Sequence, residues 1–297
     1  MMRVASFFSG IGGFDLGFQN IGMNIVFQCE KNKFSQQVLQ KHWPNVPRHG
    51  DINTLDVINI PDSELWCGGF PCQDLSLANN GKRQGLDGKY SGLFFKFKEL
   101  IQQRLPKWVV MENVPGLLNS QKGADFSLII HALDELGYGV AWRVLDSKFF
   151  GTPQRRRRVY IVASYQSRNA AEVLFDNRRI AITLKTSRGQ EEAITQGFGN
   201  SNPEANLYSI QNAAIGRNHK AGPQGKGYRC DGETWTLDSR GSSDVVCTTH
   251  DPFRIRETTN FPRWVDGSRF TSLGNAVTIS VIEWIGRGII EVELASK

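Results

Sequence analysis

Between Arg3 and Ser164 the chain alternates short apolar runs with amphipathic stretches, and this alternation limits the fold more than any other feature. Strand-like runs occur at Val4–Phe8, Ile25–Cys29, Leu65–Cys67, Trp108–Met111, Val140–Leu145 and Val159–Ala163. Helix-like stretches separate them at Phe14–Asn20, Phe34–Trp43, Leu93–Leu105 and Phe126–Leu136. In the last of these, Leu128, Ile129, Ala132, Leu133 and Leu136 recur at helical spacing. A strand buried on both faces reads as an unbroken apolar run, as when helices cover both sides of a parallel sheet. The expected fold is therefore α/β, a doubly covered parallel sheet. Ligands of such sheets sit at the carboxyl ends of the strands.

Around Tyr165 the character changes. Glycine, asparagine, serine and threonine become frequent up to residue 252 and apolar periodicity fades. The expectation there is a smaller, loop-rich domain, with short strands within Tyr228 to Leu237 and Asp244 to Cys247. A helical pattern returns after Thr278, with Ile279, Ile282, Trp284, Ile285 and Ile289 on its apolar side. Such a helix is expected to pack back onto the first domain. That makes the large domain discontinuous (residues 1–165 with 273–297) and the small one residues 166–272.

Composition narrows the class. The chain's 297 residues can bury one large core beside a small one. No apolar run approaches the roughly 20 residues of a membrane span, and the N-terminus goes straight into strand-like sequence. Five cysteines, at positions 29, 67, 72, 230 and 247, form no CxxC pair, which argues against a disulfide scaffold or a compact zinc site. No metal is expected. A soluble, cytoplasmic protein is the expectation, and a monomer. The net charge of +6 suits a polyanionic partner. Residues 165–252 are neutral, so the excess lies earlier, chiefly in Arg155-Arg156-Arg157-Arg158 at the mouth of an apolar strand. A charge run is ordinarily a solvated face, but one that opens a buried strand favours a binding edge.

Five motifs stand at strand ends. Phe7-Phe8-Ser9-Gly10-Ile11-Gly12-Gly13 follows the first strand, where glycines let a backbone approach a ligand closely. A dinucleotide fingerprint would place a third glycine at position 15, which is Asp15 here. Glu30 ends the second strand, where a carboxylate can hold ribose hydroxyls, and Asp51 after Gly50 could accept from an adenine amino group. Gly69-Phe70-Pro71-Cys72-Gln73 places a thiol after the next strand. A lone cysteine is most often a small buried hydrophobe, but at a strand exit a stabilised thiolate can attack a substrate. Glu112-Asn113-Val114 ends the following strand, and a carboxylate beside a thiol is what proton-assisted nucleophilic attack requires. The last two motifs are Gln154 to Tyr160 and Leu273-Gly274-Asn275-Ala276-Val277.

This ordered set resembles the DNA (cytosine-5) methyltransferases: FSGIGGFDLG, a glutamate ending strand two, GDI, GFPCQ, ENV, QRRRR and GNAV come in that family's order and spacing. The match covers residues 3–165 and about 253–290. The resemblance implies a Rossmann-like, S-adenosyl-methionine-dependent methyltransferase sheet with a small target-recognition domain. It implies that Phe8, Gly10 and Gly12 line the cofactor pocket, that Glu30 binds the ribose, and that Asp51 and Ile52 bind the adenine. Leu93, Asn275 and Val277 match positions that close around the methionine end. By the same resemblance Cys72 adds to carbon 6 of a flipped-out cytosine, Glu112 holds N3 and the exocyclic amine, Arg158 contacts the ring O2 and Arg156 the DNA backbone. The base that removes the carbon-5 proton stays open between Ser76, Asn113 and a water. Double-stranded DNA is the implied partner, read in the major groove by the small domain, and a cognate restriction endonuclease acting on the same site is a further partner that the resemblance suggests.

The chain departs from the family in three places. Position 31, often aromatic or apolar, is Lys31; two extra residues lie near Asn79-Asn80; and Phe253 to Trp264 keeps only fragments of the pattern. A tRNA cytosine methyltransferase and a catalytically silent nucleic-acid-binding homologue are the rival readings. A sizeable variable region after the arginine motif favours DNA, and intact Cys72, Glu112, Arg156 and Arg158 favour activity.

Overall fold

The computed structural model describes residues 1–71, 92–152, 155–175, 272 and 275–296, together with the backbone of three short strands beyond residue 200. Two compact units divide the chain: Met1–Leu145, Arg157–Asn177 and Val277–Lys297 form the larger, and Asp146–Arg156 with Arg178–Ala276 the smaller.

The larger unit is built on a seven-stranded sheet. Its strands are β1 (Arg3–Phe7), β2 (Asn24–Cys29), β3 (Arg48–His49), β4 (Leu65–Gly68), β5 (Trp108–Asn113), β6 (Tyr138–Asp146) and β7 (Arg157–Tyr165), in the spatial order β3-β2-β1-β4-β5-β7-β6. Helices α1 (Gly13–Asn20), α2 (Lys33–His42), α3 (Gly92–Arg104), α4 (Ala124–Asp134), α5 (Ala170–Phe175) and α6 (Ile279–Ala295) accompany it. Every residue of β4 and β5 is buried, as their unbroken apolar runs require. Phe7, Trp66 and Phe97 meet in the core, with ring centroids 4.7 Å apart for Phe7–Trp66 and 4.8 Å for Phe7–Phe97. Offset and tilted aromatic contacts of this kind add to the burial of their area.

The expectation of an all-parallel sheet needs one correction. Strands β1 to β5 pair in parallel, but β7 pairs antiparallel with β5, opposing Glu112 to Tyr160 and Asn113 to Val159. The reversal is of a kind that an antiparallel return without a crossover helix allows, and the described part of the connection between β6 and β7 holds the 3-10 turn Ser147–Phe150, ending at Gly151 with φ 75°. Its consequence is positional: the N-terminal end of β7, where the arginines stand, lies at the carboxyl end of β5.

α6 packs on α1 through small residues. A Cβ on Gly17 would come within 2.7 Å of Ile282, and one on Gly13 within 2.9 Å of Val277. Asn20 Nδ2 also donates to Glu283 Oε1 at 2.7 Å, 263 positions away. Among the described residues no helix is long and apolar enough to cross a membrane.

In the smaller unit, β8 (Tyr208–Ile210), β9 (Tyr228–Arg229) and β10 (Val245–Cys247) form an antiparallel sheet in the order β10-β8-β9. The last two fall within the expected strand segments. β8 carries no periodicity that would have marked it.

Candidate active site

Strand order reverses between β1 and β4, the place where ligands of open α/β sheets bind. The turn after β1 sits there. Phe8, Gly10 and Gly12 all take positive φ (52°, 55° and 88°). Phe8 is a strained position for a side chain, and its ring is held edge-on against Phe97 at 5.9 Å. The Ser9 amide donates to the Cys29 carbonyl at 3.1 Å and the Gly12 amide to the Ser9 carbonyl at 2.9 Å, so the turn closes on itself and is tied to β2. A Cβ on Gly12 would enter the Trp43 ring, whereas one on Gly10 would meet nothing within 4 Å. The turn therefore packs inward at Gly12 and faces open space at Gly10.

Two carboxylates border that space. Glu30 accepts from the Gly10 amide at its Oε2 and from the Asn32 amide at its Oε1, each at 2.7 Å. The Glu30 amide donates to the His49 carbonyl at 3.0 Å, which brings the end of β2 beside the end of β3 and Asp51. Asp51 Oδ1 accepts from the backbone and side-chain nitrogens of Asn53 at 3.0 Å each, and its Oδ2 holds Lys31 Nζ at 2.7 Å. The Lys31 ammonium holds the Asp51 carboxyl below its ordinary value. A carboxylate offers about four acceptor sites, so both groups keep capacity for hydroxyl and amine donors. The open space over Gly10 and this donor-seeking border fit a nucleoside. Ile52 is buried in the core, Leu93 is partly buried against it, and Val277 packs on Gly13 while Asn275 is exposed.

Behind the turn lies a buried polar network that the sequence reading missed. Asp15, fully buried in the first turn of α1, accepts from Ser6 Oγ at 2.9 Å and from Gln28 Nε2 at 2.8 Å. Gln28 Oε1 in turn accepts from Arg48 Nε and Nη2 at 3.0 and 2.8 Å, and Arg48 Nη2 donates to the Trp43 carbonyl. An amide thus spans a carboxylate and a guanidinium, lacing β1, β2 and β3 just below the ends that carry Gly10, Glu30 and Asp51. Burial pushes the Asp15 carboxyl up to about 6 despite these donors. The available signal was polar Ser6 and Gln28 at inward positions of otherwise apolar strands.

On the other side of the switch point, β4 and β5 end together. Glu112 Oε1 lies 2.9 Å from Arg158 Nε, with 9% and 15% of the two side chains exposed. A Cβ on Gly69 would lie 3.2 Å from Glu112 Oε2, so the turn after β4 passes directly against this carboxylate. Asn113 donates from Nδ2 to the Phe70 carbonyl at 3.4 Å and accepts from the Val114 amide at 2.8 Å, bracing the same turn. Phe70 and Pro71 lead towards Cys72. Cys72 itself, Gln73 to Ser91 with Lys82, Arg83 and Lys89, and Gln154 lie outside the described residues.

The described cysteines are of another kind. Cys29 and Cys67 are free and buried. Burial pushes the Cys29 thiol up to about 12, and the Cys67 thiol well above its ordinary value, so neither forms a thiolate near neutral pH.

The arginine run divides by exposure: Arg155 and Arg157 are exposed, Arg156 is buried and Arg158 is half-buried. Within the smaller unit Arg156 Nη2 donates to the Ala276 carbonyl at 2.7 Å, and its own carbonyl accepts from the Ser147 amide at 3.0 Å. Only 3% of the residue is exposed, and its guanidinium rests on the Ala276 carbonyl. The structure thus brings together Gly10 with Glu30, Glu112 with Arg158, and Arg156 with Ala276.

Known proteins resemble this chain in sequence and in fold. A profile of the family described as C-5 cytosine-specific DNA methylase matches residues 2–242. The chain is 33% identical over 315 residues to the Type II methyltransferase M2.BsuMI of Bacillus subtilis (strain 168), a match covering 97% of this chain and 75% of that relative. It is 31% identical over 311 residues to the Type II methyltransferase M.SsoII of Shigella sonnei, covering 97% of this chain and 80% of the relative. Among solved structures, the S. pombe Dnmt2 methyltransferase matches with a TM-score of 0.65 at 17% identity, over 99% of each chain. The Entamoeba histolytica methyltransferase EhMeth matches with a TM-score of 0.62 at 16% identity, over 98% of each. At such identities the structural likeness is one of fold.

Proposed function

The chain belongs to the C-5 cytosine-specific DNA methylase family, and from that membership we propose that it methylates carbon 5 of a flipped-out cytosine in a specific double-stranded DNA sequence, through a covalent adduct on Cys72. The family's methyl donor is S-adenosyl-methionine, which when bound supplies an electrophilic methyl group. Glu30 would hold its ribose hydroxyls, and Asp51 with Ile52 its adenine. Phe8, Gly10 and Gly12 would line the pocket, and Leu93, Asn275 and Val277 would close its other end.

The observation that carries this reading is the Glu112–Arg158 pair set against Gly69, three residues before Cys72. Carbon 5 of cytosine is a poor nucleophile until a thiolate adds to carbon 6. Addition pushes electron density towards N3, and Glu112 would meet it there with a hydrogen bond or proton. Arg158, fixed on Glu112, would orient the carboxylate and face the ring O2. After carbon 5 has taken the methyl group, loss of its proton expels the Cys72 thiolate and restores the aromatic ring. Arg156, buried on Ala276, acts in this scheme as a positioning residue. Arg155 and Arg157, both exposed, are proposed to contact phosphates. Because carbon 6 is shielded inside a stacked duplex, base flipping is required.

Residues 166–272 are proposed to carry base readout and little chemistry. Exchanging residues 166–252 for the matching region of a relative with a different target should move methylation to that relative's site. The test of the activity is transfer of a radiolabelled methyl group to duplex DNA and, separately, to tRNA. Label entering DNA and depending on Cys72 supports the proposal. Label confined to tRNA, or none in either, overturns it.

A further inference from the structure

We propose that Lys31 is an ion-pair latch on the nucleoside end of the cofactor pocket, held on Asp51 in the free protein and displaced when the nucleoside binds. The inference rests on the reading of Asp51 as the adenine acceptor. Its starting point is the distribution of donors around that carboxylate. Two nitrogens of Asn53 converge on Oδ1 at 3.0 Å and fix the orientation of the group. Oδ2 is therefore the oxygen turned outward, and it is the one that Lys31 Nζ holds at 2.7 Å.

A charged donor binds a carboxylate oxygen more strongly than a neutral one. The exocyclic amine of adenine is neutral, so it competes at Oδ2 with an ammonium already in place. The lysine can yield, because its side chain is 76% exposed. Exposed ion pairs are weak and are screened by salt, so the latch tunes uptake and does not block it. Neighbouring Glu30 has both oxygens on backbone amides and offers the ammonium no equally free alternative. A lysine that is merely a solvated surface charge predicts none of the following.

The test is calorimetric titration of the full chain with S-adenosyl-homocysteine, which carries the same nucleoside without the sulfonium charge. The proteins are wild type, Lys31→Met, Asp51→Ala and the double variant. Lys31→Met keeps the stem and removes the ammonium. It should bind about 2- to 5-fold tighter than wild type at roughly 50 mM salt, and the gap should narrow at about 500 mM, as screening predicts for an exposed pair. In the Asp51→Ala background the same lysine substitution should change nothing. Unchanged or weaker binding by Lys31→Met overturns the latch while leaving the pocket reading intact. Tightening that persists without Asp51 also overturns it, since the effect is then general charge repulsion. Wild-type affinity in Asp51→Ala removes the adenine reading itself, and the latch with it.

Discussion

Arg158 Nε lies 2.9 Å from Glu112 Oε1 although the two residues stand on strands that run in opposite directions. A parallel β7 would have carried its arginines to the far edge of the sheet. The antiparallel register opposes Glu112 to Tyr160, which sets Arg158 two residues towards the carboxyl edge. A nearly buried pair of this kind leaves an uncompensated charge if one member is removed, at a cost of about 3–5 kcal/mol.

Glu112→Gln keeps the size of the side chain and removes its charge and its proton. Turnover on duplex DNA should fall by about 100-fold or more, the usual contribution of a positioned acid or base, while cofactor affinity stays within a few-fold. Single-turnover kinetics with saturating cofactor measure the first quantity, and calorimetry the second. Turnover within about 10-fold of wild type would remove Glu112 from the chemistry.

A duplex with 5-fluorocytosine at the target should trap the protein on DNA. Fluorine nearly matches hydrogen in size but cannot leave carbon 5 as a cation, so elimination of the thiol stops after methyl transfer. The complex should survive a denaturing gel, require S-adenosyl-methionine, and map to Cys72. Cys29 and Cys67 should stay unmodified, because burial keeps both as thiols. An adduct on either would overturn the assigned mechanism.

Glu30→Ala and Asp51→Ala should each weaken S-adenosyl-methionine binding by about 1–3 kcal/mol, the range for losing charge-assisted hydrogen bonds. Glu30→Ala should be the more damaging of the two, because its carboxylate also anchors the Gly10 and Asn32 amides. Equal, unchanged affinities in both variants would dismiss the nucleoside pocket.

Asp15 gives a stability signature with a definite sign. Its folded-state value of about 6 lies above the ordinary 3.8, so the folded state keeps a proton that the unfolded chain gives up. Stability from this group is fully present below about pH 4 and is lost as pH rises through 6. Asp15→Asn has no such titration. Its stability relative to wild type should therefore rise by about 2–3 kcal/mol between pH 4 and 7. Urea denaturation of both proteins at the two pH values measures it. A flat difference would mean that the buried carboxyl does not titrate in this range.

How much of this was legible in the chain differs by element. β4 and β5 were readable because a strand buried on both faces must be apolar throughout, and Leu65 to Cys67 and Trp108 to Met111 are. The direction of β7 was not readable, since Val159 to Ala163 looks the same in either orientation. Glu30, Asp51 and Glu112 were legible as candidates because they stand at strand exits, where ligands of such sheets bind. Their partners were not: Arg158 reaches Glu112 only through a long-range register, and Lys31 reaches Asp51 only because β2 and β3 lie side by side. Arg156 shows the limit most plainly. Four consecutive arginines read as one basic patch, yet a strand entrance alternates inward and outward, and the fold buries the second of them.

The contact between α1 and α6 also sets a schedule for synthesis. α1 carries the glycine turn and leaves the ribosome early, but the surface that covers Gly17 is encoded more than 250 residues later. Through most of translation that face of α1, with Phe14 and Phe18, has no α6 to lie against. An unfinished chain therefore cannot complete the wall that Val277 makes beside Gly13. A methylase of this build becomes competent only after its α6 has emerged, and prematurely terminated products should be inert and in need of chaperones.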